Sequence, residues 1–167
     1  MPTRIVTARL VLEALTTDEA AAIRAEDRGG RRWAPDYPTD GDRVVAAIVG
    51  QAGEHYDQSS ALGPLQIRLA STGEAVGGVG FLSAPDPDGV VEVGYGLAES
   101  AQHLGLATEA LAAAVGWAAG QGVTVVEAMT EPANTASHRV LRRCGFDQAD
   151  DVMTEEGPLL RWVRRLR

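Results

Sequence analysis

One stretch constrains this 167-residue chain more than any other: EVGYGLAESAQHLGLATEALAAAVGWAA, from Glu92 to Ala119. A strand-like run passes through a short segment holding one isolated glycine, Gly105, and straight into a long helical run of small residues. The side-chain period must change from two to 3.6 within a few residues. Backbone N–H groups at a helix start lack intrahelical partners and carry the positive end of the helix dipole. A glycine beside them lets another group approach without meeting a Cβ. Such a start binds phosphate well. An ordinary strand-to-helix turn uses the same residues, so both readings stand at this point.

The segments around this junction define the fold class. RIVTARLVLEAL, from Arg4, has strand-like density, and TTDEAAAIRAED opens with the Thr and Asp of a helix start. DRGGRRWAPDYPTDGDR reads as a loop, and DRVVAAIVGQAGEHY as a second helix. GPLQIRLAS, AVGGVGFLS and VVEVGYGLA, separated by the turns STGE and APDPDG, form an antiparallel meander. Beyond the junction, ATEALAAAVGWAAGQG is a helix and VTVVEAMT a strand. NTASHRVLRRCG is a helix capped by Asn134 and ended by Gly145, and PLLRWVRRL is a closing strand. The order gives an α+β or mixed α/β fold in a single domain over residues 1–167, without a regular βαβ alternation.

Composition excludes several chemistries. The 15 basic residues are all arginine, so a P-loop lysine, a Schiff-base lysine and a Ser–Lys pair are ruled out. A formal net charge of −8 argues against nucleic acid as a partner. It favours a cationic substrate or simply solubility. No apolar run is long enough to span a membrane, and the N-terminal segment has no signal-peptide pattern. One cysteine, Cys144, cannot form an internal disulfide and fits a reducing, cytoplasmic setting. The close glycines of GGVGFL precede a Pro/Asp turn instead of a helix, so they mark a closely packed strand and not a dinucleotide site. His55, His103 and His138 have no metal-ligand spacing, and no metal is expected.

GYGLAESAQHLGLATEAL resembles the acetyl-CoA signature Q/R-x-x-G-x-G/A of the GNAT N-acetyltransferase superfamily, with Gln102, Gly105 and Ala107 at the matching positions. EPANTASHRVLRRCGF resembles its later N-x-x-S…GF segment, and VTARLVLEALTTDEA its opening strand and helix. The combination is similar to the ribosomal-protein N-terminal acetyltransferase branch. The resemblance implies a twisted, mostly antiparallel sheet, splayed between its fourth and fifth strands and flanked by helices. It implies that the backbone of Gln102, His103, Leu104, Gly105, Leu106, Ala107 and Thr108 wraps the pyrophosphate of acetyl-CoA. The pantetheine arm would pair with backbone near Leu97 and Ala98, and the Asn134 side chain would contact it. A homodimer is compatible with it. Two departures are visible: His103 and Leu104 stand where basic residues are common, and Leu141 stands where many relatives carry a tyrosine acid. Arg139, Arg142 or Arg143 are the sequence's substitutes for the missing charge, at the ribose phosphate.

Acetyl transfer to an amine needs a neutral nitrogen, a polarised carbonyl and a thiolate that can leave. A thiol of pKa near 8.5 leaves with little help, and Ser137 is the candidate proton donor. An α-amino group costs about 1 kcal/mol to deprotonate at pH 7, a lysine-like amine roughly 4 to 5 kcal/mol. Glu92, on the strand entering the loop, and Glu156, in the turn TEEG, are the candidate bases. Trp33 and Tyr37, with the loop acids Asp36, Asp40 and Asp42, are the candidate substrate contacts. The expectation is direct transfer to a primary amine, on a protein N-terminus or a small molecule, through a ternary complex. The alternative is a CoA-binding or sensor domain that has lost catalysis.

Overall fold

The computed structural model describes residues 1–167. Its strands are β1 (Arg4–Val6), β2 (Leu10–Ala14), β3 (Pro64–Leu69), β4 (Ala75–Phe81), β5 (Val90–Leu97), β6 (Val125–Thr130), β7 (Asp147–Thr154) and β8 (Gly157–Arg165). Its helices are α1 (Thr17–Ala25), α2 (Asp40–Ala52), α3 (Leu106–Ala119) and α4 (Thr135–Arg143). The strands form one sheet in the order β1-β2-β3-β4-β5-β6-β8-β7, antiparallel everywhere except between β5 and β6. No helix is long and apolar enough to cross a membrane.

The opening segment makes two strands instead of one. A turn at Ala8–Arg9 folds β1 back on β2, held by the Thr7 amide on the Leu10 carbonyl at 2.9 Å and by the Leu10 amide on the Thr7 hydroxyl at 3.0 Å. The splay therefore falls between the fifth and sixth strands, a shift in counting and not in place. β5 and β6 pair only over Val90–Glu92 and Val125–Glu127. Beyond Glu92 they separate.

Strand β7 is a segment that its residues concealed. Asp147, Asp150 and Asp151 are poor strand formers, yet the segment pairs with β8 through a register shift between Gln148 and Asp151. It is an edge strand, where exposed acidic side chains and a bulge hinder pairing with another chain.

Small residues set how closely the layers approach. Helix α3 packs on β2, β4 and β5 through Ala110, Leu111, Ala114, Val115 and Ala118, all fully buried. Alternation along β5 turns Tyr95 toward α4 and Gly94 and Gly96 toward the opposite face, where α2 lies. In β4, a Cβ on Gly80 would stand 2.6 Å from the Pro64 Cα of β3, backbone against side chain with no room to give. Gly80→Ala is therefore expected to destabilise the fold by about 1–3 kcal/mol. Urea denaturation checks this: the midpoint should fall with the slope unchanged.

Candidate active site

The glycine junction forms an open cradle. After a short 3-10 turn at Glu99–Ala101 the chain reaches Gln102, then His103 at φ 65° and Gly105 at φ 77°, where α3 begins. A left-handed backbone is costly for a residue with a side chain, so His103 is a strained position in the loop. Helices α1, α2 and α4 are each closed by a side chain, from Thr16, Thr39 and Asn134. Helix α3 has no such cap. Its first amides, from Leu106 through Thr108, are left for an outside acceptor.

The open edge of β5 leads into this cradle. Leu82 N–H donates to the Glu92 carbonyl and Ala98 N–H to the Val76 carbonyl, so Glu92, Gly94, Gly96 and Ala98 point their backbone groups toward β4. Val93, Tyr95 and Leu97 then point theirs toward the splay, where β6 has turned away. The two residues expected at the donor's arm thus differ. Leu97 faces the open side, with its carbonyl accepting from Gln102 Nε2 at 3.0 Å. The Ala98 amide is engaged by Val76 at 2.7 Å. That difference follows from strand alternation, which sequence alone does not phase.

Two carboxylates meet where the splay starts. Glu92 and Glu127 are the last paired residues of β5 and β6. Glu127 accepts from Arg161 at 2.8 Å. Glu92 is half-buried and has no such arginine partner. Burial first, and then the Glu127 charge, raise the Glu92 pKa above the ordinary glutamate value. Glu156 is not brought to this pair. It is exposed in the β7–β8 turn, and since Glu127 is opposite Val163, the start of β8 lies about 20 Å along the strand from the vertex.

Helix α4 closes the other side. Asn134 Oδ1 accepts from the Ser137 amide at 3.2 Å, leaving the Asn134 amino group without a protein partner. Ser137 is half-buried, and its carbonyl accepts from the Tyr95 hydroxyl at 3.4 Å. Leu141 is fully buried in the core, so α4 offers no phenol there. Tyr95 brings one to the same neighbourhood from β5. It stands within the sequence motif, but nothing in the pattern said which face of β5 meets α4. Cys144 is buried, with its Sγ donating to the Thr108 carbonyl at 3.5 Å, and burial raises its pKa. Arg142 lies over the Trp162 ring at 5.1 Å.

Trp33 and Tyr37 are not surface contacts. They are 5% and 2% exposed and pack edge to face at 5.4 Å. Trp33 Nε1 donates to Glu19 Oε2 at 3.1 Å, and the Tyr37 hydroxyl accepts from Gln66 Nε2 at 3.0 Å. Their loop position reads as exposed, but the loop is pinned on β4 through Ala75 and buries both rings. Asp36 of this loop accepts from the Ser100 amide at 2.8 Å and from its hydroxyl at 2.6 Å, fastening the loop beside the cradle. Asp40 is exposed and pairs with Arg43, and Asp42 serves the capping box of α2 with Thr39. The face left open near Glu92 is floored by Gly94 and Gly96, with Leu82 beside them.

The GNAT acetyltransferase domain model matches residues 9–147 of this chain. The chain belongs to the GNAT acetyltransferase family. It is 35% identical over 74 residues to the uncharacterized N-acetyltransferase YjdG of Bacillus subtilis, a match covering 44% of each protein. Among solved structures, RimJ of Mycobacterium smegmatis in complex with CoA-disulfide is 22% identical, with a TM-score of 0.71 over 98% of this chain and 88% of that one. The ribosomal-protein-S5-alanine acetyltransferase of Vibrio fischeri is 14% identical, with a TM-score of 0.71 over 98% and 96%. These structural likenesses establish the fold.

In this GNAT acetyltransferase the raised Glu92 pKa has a consequence for stability. A carboxyl group with a raised folded-state pKa adds stability below its unfolded pKa and loses it as pH rises through the folded value. Glu92→Gln is never charged and escapes that loss. Its Tm should therefore exceed the wild type's at pH 7, with the gap shrinking as pH falls through the Glu92 pKa toward ordinary carboxylate values. Thermal melts of both proteins across this range make the comparison.

Proposed function

We propose that this GNAT acetyltransferase moves an acetyl group from acetyl-CoA to a primary amine, by direct attack within a ternary complex. The observation that carries this is the open edge of β5, which runs from a carboxylate without an arginine partner at Glu92 to the uncapped start of α3. The residues fit the donor. The amides from Gly105 to Thr108 would hold the pyrophosphate, the open edge of β5 ending at Leu97 would hold the arm, and the Asn134 amino group would reach it. Acetyl-CoA supplies an activated acyl group on a leaving thiol of ordinary pKa. The amine approaches over the glycine floor, where missing side chains leave it room. Glu92 takes the amine proton through a chain of waters, since it stands about 16 Å along β5 from Leu97, and its raised pKa brings it nearer the working pH. The Leu97 N–H points toward the splay and can polarise the thioester carbonyl. Ser137, with Tyr95 beside it, returns a proton to the sulfur.

The acceptor class this favours is an α-amino group, as on a protein N-terminus. It needs only about 1 kcal/mol of deprotonation at pH 7, within reach of one half-buried carboxylate. The ribosomal-protein acetyltransferases among the structural neighbours point the same way. A small-molecule amine is the competing acceptor. A panel of peptides and amines, followed by thiol release, separates the two. No release with any member would favour a CoA-binding domain without catalysis.

Glu92→Gln should lower turnover about 10²- to 10⁴-fold at neutral pH, and the deficit should shrink as pH rises and the amine arrives neutral. Glu156→Gln should behave as wild type. A pH–rate profile of both variants with one active acceptor decides this. Reversed behaviour would assign the base to Glu156, and wild-type turnover by Glu92→Gln at pH 7 would remove Glu92 from the mechanism.

Direct transfer also predicts that Cys144→Ala keeps most activity, and that acetyl-CoA alone leaves no acetylated protein. Intact-protein mass spectrometry makes the check. An acetyl group on Cys144 that an amine removes would establish a covalent route instead.

A further inference from the structure

We propose that Arg9, in the turn of the opening hairpin, supplies the positive charge of the pyrophosphate cradle and holds its loop in place. This rests on the assignment of residues 102–108 to the donor's pyrophosphate. The need is plain from the loop itself. His103 and Leu104 bring no fixed positive charge, the chain has no lysine, and Glu109 adds a negative charge within one turn of the helix start. An anion approaching α3 without a nearby cation would meet that carboxylate.

Arg9 answers each part of this. Its Nε donates to Glu109 Oε2 at 2.7 Å, and its backbone amide donates to Glu109 Oε1 at 2.8 Å. The Thr7 hydroxyl donates to the same Oε1 at 2.6 Å. Desolvation works to raise the Glu109 pKa, but these hydrogen bonds and the guanidinium charge together outweigh it and hold the carboxylate below its usual range. Arg9 Nη1 donates to the Leu104 carbonyl at 2.8 Å, one residue before the left-handed Gly105. Nη2 has no partner in the protein and lies 3.5 Å from where a Cβ on Gly105 would stand. The guanidinium therefore grips the loop with two nitrogens and presents the third at the mouth of α3. The backbone that carries it is fixed on both sides, since the Arg9 carbonyl accepts from the Ala70 amide at 2.8 Å.

An ion pair with its arginine half exposed adds little to folding stability, so stability is a poor explanation for this arrangement. Placement beside an anion site is a better one. A planar guanidinium with free donors is suited to phosphate oxygens, and its charge cancels that of Glu109. The contact joins residues 95 to 100 positions apart, and for that reason no local pattern could reveal it.

The test compares two acetyl donors, acetyl-CoA and S-acetylpantetheine, which share the thioester but differ in the phosphates. Arg9→Gln should weaken CoA binding in calorimetry by about tenfold to a hundredfold, the range for one hydrogen bond to a charged group. The ratio of kcat/KM for acetyl-CoA over S-acetylpantetheine should fall by the same factor. A purely structural role would lower both donors together and leave the ratio unmoved. Arg9→Lys keeps a charge but cannot grip Leu104 and Glu109 at once, so it should show a smaller fall. It also serves if Arg9→Gln does not fold. A folded variant with wild-type CoA affinity, or an unchanged donor ratio in Arg9→Lys, overturns the proposal. Gly105→Val separates this failure from that of the cradle: if it abolishes CoA binding while Arg9 variants bind normally, only the role of Arg9 falls. If folded Gly105→Val binds CoA as wild type, the cradle assignment falls and the role of Arg9 with it.

Discussion

The parallel pairing of β5 with β6 extends over only three residues, and the site is organised around its end. A sheet that stayed paired would use the backbone groups of Val93, Tyr95 and Leu97 internally, leaving nothing for a ligand to join. Because pairing stops at Glu92, those groups lie along an open edge, and the edge leads through Gln102 to the uncapped start of α3. Backbone polar groups left unpaired near a protein interior are costly unless something completes them. The splay is therefore an incomplete sheet with an open edge.

The same geometry creates an electrostatic asymmetry between two neighbouring glutamates. Glu127 is balanced by Arg161, whereas Glu92 meets the charge of Glu127 without an arginine of its own. A single arginine on β8 thus distinguishes the two carboxylates. On the opposite face, the Tyr95 hydroxyl reaches across the splay to the Ser137 carbonyl of α4 at 3.4 Å.

Legibility in the sequence followed the range of the interactions. The meander, the two long helices and the Asn134 cap rest on local period and turn chemistry, and they stand in the structure where the residues indicated. The glycine cradle was equally local. What local pattern could not show was long-range or opposed to local preference. Strand β7 forms against its aspartates because β8 supplies a partner. Trp33 and Tyr37 lie in a loop rich in Gly, Pro and Asp, yet tertiary contacts with Glu19 and Gln66 bury them. The phase of β5, which decides between Leu97 and Ala98, is set by pairing with β4. Arg9 and Tyr95 were invisible because their partners lie far along the chain.

The acidic edge of the sheet has a colloidal consequence. Asp147, Asp150 and Asp151 set acidic side chains along an edge strand, which opposes pairing with a second copy of it, and the bulge beside them blunts the edge locally. Without those side chains the row of unpaired backbone donors and acceptors would remain. Such an edge is a template for its own kind, so these three aspartates are what sets strand addition between copies at a disadvantage.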